Sequence, residues 1–174
     1  MEIIEPYYNQ LISWSGLMTF SPIYDTNSNE QTSSAINSAI RNRKNILIVI
    51  TTTEGYLFGS FIEKEIPNAK SQLQYVKDGI NHFVFTLKNS FQTEPTMLKR
   101  KNKKGMTLAV LPTNETKILL MIKKCFCLYE KGKGDSKVHY AFNQKYNDTT
   151  EYSCCLFTGE DFINWERVVI YQGN

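Results

Sequence analysis

Asn45-Ile-Leu-Ile-Val-Ile-Thr-Thr-Thr-Glu-Gly-Tyr-Leu-Phe-Gly-Ser-Phe61 is the stretch whose reading decides the fold. Two β-rich runs, Ile46 to Thr51 and Tyr56 to Phe61, flank a tight Thr-Glu-Gly turn. Gly55 supplies the positive φ that such a hairpin needs. Ile46 to Ile50 is apolar at every position instead of alternating, so both faces of the run need cover and it reads as a central strand. Gly59, inside the returning run, reads as a point of close approach by a neighbouring chain or side chain, because glycine otherwise only weakens a strand.

Upstream, Thr32 or Ser33 can cap a helix running through Arg43, with Ile36, Ala39 and Ile40 as its apolar stripe and Arg41, Arg43 and Lys44 at its C-terminal end. The Asn/Ser/Thr-rich residues 26–32 form a surface loop before it. Phe20 to Asp25 reads as a short strand that Pro22 restricts to an edge or a strand start. Residues 1–19 are a lead-in segment whose Leu11, Trp14 and Met18 allow a short helix packed on the sheets.

Downstream, Ile62 to Gly79 is polar enough to be a loop with one helical turn, and His82 to Lys88 is a clear strand. Further strands are expected at Met106 to Val110, at Lys117 to Leu128 (long enough to bend or split), at Val138 to Phe142, at Tyr152 to Phe157 and at Glu166 to Tyr171. Strands far outnumber helices and the connections are of hairpin length, which favours antiparallel pairing over crossovers.

A chain of 174 residues fits one domain, residues 1–174, and can bury about two-thirds of its unfolded surface. With 41% hydrophobic and 13% aromatic residues, it is expected to be ordered throughout most of its length. A net charge of +3 is too mild to name a partner. The start lacks the basic and apolar regions of a secretion signal, and no apolar run approaches a membrane span, so a cytoplasmic protein is expected, with a nuclear one as the alternative.

The sharpest local feature is the basic loop at residues 99–105, where Lys99, Arg100, Lys101, Lys103 and Lys104 put five cations in six positions ahead of Gly105. Such a loop can neutralise phosphates or contact an acidic partner, and it can serve as a nuclear import signal. The plain alternative is a solvated hairpin tip whose lysines discourage edge pairing. The cysteines pair as Cys125 with Cys127, expected to share one face of a strand, and Cys154 with Cys155. Neither spacing is that of a zinc knuckle or a redox dithiol, so free thiols packed as small hydrophobes are expected. Asp25, Asp135, Asp148, Glu160 and Asp161 sit in loops and read as turn residues; residues 25–30 lack the glycine and terminal glutamate of a calcium loop. His82 and His139 fall within expected strands, and no nucleophile motif accompanies them.

Several landmarks, in order, resemble the TLDc domain of the oxidation-resistance proteins. They are Ser21 to Asp25, including Tyr24 and Asp25; the Gly55 to Phe61 turn and strand with Phe58 and Gly59; the His82 to Asn89 strand with Phe83 and Phe85; and Phe162 to Val168 with Trp165 and Glu166. The glycine-rich segment that the family usually carries in its third quarter is reduced here to Cys127 to Asp135. The resemblance implies an α+β, mainly β fold: a two-sheet antiparallel β-sandwich with a few peripheral helices. It also implies a non-enzymatic protein-interaction module, linked to oxidative stress and to vacuolar proton-pump subunits as protein partners. No cofactor, metal or catalytic residue is expected from it. The alternatives are a nucleic-acid-binding protein using Lys99 to Lys104, and an enzyme whose site is assembled from distant loops.

Overall fold

The computed structural model describes every residue except Met1, Gly79 and Lys103. After a 3₁₀ turn at Glu2–Tyr7 come helix α1 (Tyr8–Ser15), strand β1 (Phe20–Asp25) and helix α2 (Ser33–Ile40). The hairpin follows as β2 (Ile46–Thr52) and β3 (Leu57–Ile62), then β4 (Gln74–Asp78), β5 (Phe83–Lys88), β6 (Thr96–Lys99) and β7 (Gly105–Val110). The chain continues through β8 (Ile118–Ile122), β9 (Phe126–Tyr129), β10 (Lys137–Val138) and α3 (Phe142–Lys145), and ends in β11 (Trp165–Gly173). One sheet has the order β1-β11-β2-β3-β5-β6 and the other β10-β9-β8-β7-β4. Every pairing is antiparallel. The fold is thus the α+β, mainly β sandwich that the sequence implied.

β2 lies between β11 and β3, and Ile46 to Ile50 are fully buried. Their cover differs by face. Ile46, Ile48 and Ile50 pack into the inter-sheet core with Phe58, Leu108, Leu120 and Phe126. Leu47 and Val49 belong to a second core on the outer face, with Phe61, Phe83, Phe85, Ile4 and Leu11. The lead-in helices therefore replace a third layer, which is why a run without alternation is stable here. Gly55 turns the hairpin at φ +82°, and a Cβ at Gly59 would fall on the Ile48 carbonyl oxygen and 2.8 Å from Phe85 Cζ. The close approach read from Gly59 is the β2 backbone itself.

β1 is an edge strand held to β11. Across that pair Arg167 donates to both carboxylate oxygens of Asp25, at 3.0 and 2.6 Å. Tyr24 is buried and its hydroxyl donates to the Glu30 carbonyl. Trp165 closes the far end, its Nε1 donating to the Tyr129 carbonyl at 2.8 Å, while Glu166 and Phe162 face solvent.

Several expectations are corrected. α2 stops at Ile40, because Asn42 takes φ +58° and its N–H leaves the helix for the Ile66 carbonyl. Arg41, Arg43 and Lys44 thus lie beyond its last turn. The expected loop at 62–79 contains β4, of which only Val76 among the described side chains is buried, so its apolar signal is faint. Of Val138 to Phe142 only Val138 is in a strand, as the end of β10, and a turn and the start of α3 follow; Val138 and Phe142 are both buried at a spacing that suits a helical turn as well as a strand. Tyr152 to Phe157 winds into a 3₁₀ turn because the Asp148 carboxylate accepts from the N–H groups of Thr150 and Ser153. The long run from Lys117 splits at a Lys123-Lys124 turn, so Cys125 sits in that turn and only Cys127 lies on β9.

Candidate functional site: a cationic cleft

The basic loop is not a hairpin tip. β6 ends one sheet and β7 belongs to the other, so the described residues 100–102 and 104 lie where the chain passes from one sheet to the other. That crossing is stitched down. The Lys101 N–H donates to the Lys145 carbonyl at 2.9 Å, the Asn147 N–H to the Lys99 carbonyl at 2.8 Å, and Arg100 forms a bridge with Tyr146. Arg100 folds over Gly105, where a Cβ would sit 2.5 Å from Nη2, and its Nη1 donates to the Met106 carbonyl at 2.8 Å.

Beneath this loop lies a buried polar pair. His82 Nδ1 is 2.8 Å from the Phe61 carbonyl, and Nε2 is 2.9 Å from the Tyr146 hydroxyl. A carbonyl only accepts, so Nδ1 carries the proton and Nε2 accepts from Tyr146. Burial lowers the imidazole pKa to about 3 against the partial opposition of the Phe61 carbonyl, with nearby Arg100 adding to the depression. Burial likewise pushes the Tyr146 hydroxyl well up. Both groups are neutral, and together they pin α3 to the β5 end of the first sheet.

The stitching creates a hollow of about 300 Å³ lined by Arg100, Lys101, Lys104, Lys123, Lys124 and Lys145, with no Asp or Glu among the described lining residues. Lys123 and Lys124 come from the β8–β9 turn, Lys145 from the end of α3. Lys123 Nζ lies 2.9 Å from Met106 Sδ and 4.3 Å from the centre of the Tyr75 ring. Lys124 Nζ lies 3.3 Å from His139 Nε2. Partial burial, helped by the Lys124 charge, holds the His139 pKa below the usual value. Tyr140 stacks on His139 with centroids 4.6 Å apart and is 79% exposed.

Of the loop residues read from sequence, the structure brings Arg100, Lys101 and Lys104 together; Lys99 is exposed on β6 outside the hollow, and Lys103 lies outside the described residues. Lys123, Lys124 and Lys145 were missed. The adjacent lysines at 123 and 124 were the available signal, since an interrupted strand with two cations at its break is a turn. Lys145 had none.

Other chemistry does not converge. Among the described residues no group of three or more His, Cys, Asp or Glu side chains is placed to hold a metal ion. The four cysteines are free; burial raises the Cys125 thiol strongly and that of Cys127 to about 11, and desolvation with the neighbouring Cys154 raises Cys155. Among the described residues no helix is long and apolar enough to cross a membrane.

The molecule is thus a β-rich domain, a two-sheet antiparallel sandwich with a solvent-facing cleft bordered by six cations. Residues 2–163 match the family model of the TLDc domain. The chain belongs to the TLDc family, and that membership suggests a stress-response module of the oxidation-resistance type. No curated protein matches the sequence.

Proposed function

We propose that the chain works as a single, non-enzymatic TLDc domain, a stress-response adaptor that docks an acidic protein partner on its cationic cleft. Vacuolar proton-pump subunits are the partners that the family suggests, and the cytoplasm is where they would be met. One observation carries this reading: six cations from three separate segments meet on one face, with no carboxylate among the described lining residues. Rim cations of this kind steer association and select partners more than they hold the fold. The test is affinity isolation of the intact protein beside a Lys101→Glu/Lys145→Glu variant. Recovery of a specific partner by the wild type and its loss with the variant is the expected result. Equal recovery by both removes the cleft from the interaction.

A second reading, binding of single-stranded nucleic acid, is favoured by Tyr140. An exposed ring stacked on His139 beside Lys124 is the pairing of aromatic and cation on which bases stack. It requires an affinity that falls steeply with salt and weakens on Tyr140→Ala. An affinity indifferent to either change excludes it.

A further inference from the structure

We infer that the hollow between the β6–β7 crossing, the β8–β9 turn and the end of α3 binds a compact, multiply phosphorylated small molecule of the inositol-polyphosphate class, free or as a lipid headgroup. This rests on the cleft being the ligand-facing surface proposed above, and it adds a specific occupant.

Charge density and size point to this class. Six cations border about 300 Å³, the lower end of small-ligand pockets. A carboxylate brings a single negative charge, whereas a phosphate ester brings about −1.5 to −2. Three phosphates on one small ring therefore balance the whole lining, and three carboxylates balance half of it. A nucleic-acid strand presents its charges along a track of about four or more nucleotides, for which a compact hollow of about 300 Å³ is too short.

The cations are also arranged in two tiers. Arg100 is fixed by the Met106 carbonyl, Lys123 rests on Met106 and the Tyr75 ring, and Lys124 stands against His139. These three make a floor already held by contacts within the protein before a ligand arrives, which favours binding. Lys101, Lys104 and Lys145 are exposed and free to close over phosphate oxygens as mobile point charges. The main-chain bonds from Lys101 to Lys145 and from Asn147 to Lys99 hold the two sides of the rim together independently of any ligand.

The experiment is calorimetric titration of the full chain with inositol hexakisphosphate at physiological ionic strength, about 0.15 M. Parallel arms use phosphatidylcholine vesicles with or without phosphatidylinositol bisphosphate, and a single-stranded RNA oligonucleotide. Lys101→Glu/Lys145→Glu is compared with Lys64→Glu/Lys70→Glu, which makes the same charge change at exposed lysines outside the hollow. Urea midpoints show that each variant is folded. The expected result is one saturable site, weakened by at least about tenfold in the cleft variant and unchanged in the control. Retention on bisphosphate vesicles in preference to the soluble ligand assigns the headgroup as the source; soluble binding without vesicle retention assigns the free molecule. Absence of binding in both arms, equal weakening by both variants, or tighter binding of the RNA overturns the inference. Loss of partner capture in the cleft variant, with no phosphate ligand bound by the wild type, removes this inference and leaves the docking reading standing. A phosphate ligand bound at the cleft with partner capture unaffected does the reverse.

Discussion

Acid should unfold this domain through His82. The imidazole is 1% exposed and its pKa falls from 6.5 to about 3 in the folded chain. Below pH 6.5 the unfolded chain takes up a proton that the folded one refuses, so stability is complete above that pH and is lost as pH falls toward 3. At pH 4.5 the loss is about two pH units at about 1.4 kcal/mol each, or about 3 kcal/mol. For a chain of this size that is a drop in Tm of roughly 6–12 °C from this one group. The perturbation is His82→Gln, whose amide can donate to Phe61 and accept from Tyr146 without titrating. Urea unfolding of both proteins at pH 7 and pH 4.5 isolates the effect, since all other titrations cancel in the difference between them. Wild type is expected to lose about 3 kcal/mol more than the variant over this interval. Parallel losses in the two proteins would show that His82 is not a buried neutral group and refute the reasoning.

Tyr146→Phe removes the donor to His82 Nε2 and leaves a buried acceptor unpaired, with an expected loss of about 1–3 kcal/mol in urea unfolding at pH 7. Gly59→Ala drives a methyl into the Ile48 carbonyl and is expected to cost about 3 kcal/mol or more, against about 1–2 kcal/mol for Gly55→Ala, where only the left-handed backbone is strained; denaturant midpoints of the two variants compare them. Iodoacetamide at neutral pH should label Cys154 and Cys155 ahead of Cys127, and Cys125 only on unfolding, with Cys155 and Cys127 slower than a free thiol; peptide mass spectrometry reads the order. Lys101→Glu/Lys145→Glu should leave the urea midpoint unchanged or raised, because it relieves repulsion among the cleft cations.

The sequence was most legible where burial alone sets the pattern. Ile46 to Ile50 could only be a strand covered on both faces, and Gly55 and Gly59 named its turn and its closest contact. It was least legible where a single polar group redirects the chain. Asp148 winds residues 150–155 into turns with two hydrogen bonds, and an apolar count over Tyr152 to Phe157 carries no trace of that. β4 was hidden for a related reason: on a sheet edge, one buried valine suffices for a strand. The cleft fell between these cases. Its loop stood out as a run of cations, but the two other segments meet it through tertiary bonds, from the Lys101 N–H to the Lys145 carbonyl and from the Lys123 N–H to the Thr107 carbonyl.

Those bonds make the cleft an outgrowth of the core. His82 holds Tyr146, Tyr146 pairs with Arg100, and Arg100 with Lys101 fixes the crossing against α3. A purely solvated loop would require none of this, because lysines kept only for solubility gain nothing from being gathered; gathering them adds repulsion. The buried pair and the main-chain stitches offset that repulsion and hold cations of three segments at one hollow. A surface arranged against its own electrostatics supports the proposal that a ligand supplies the counter-charge, which is why the cleft variant's stability bears on function. If that variant proves markedly less stable than wild type, its lysines are serving the fold, and the argument for an anionic occupant loses its foundation.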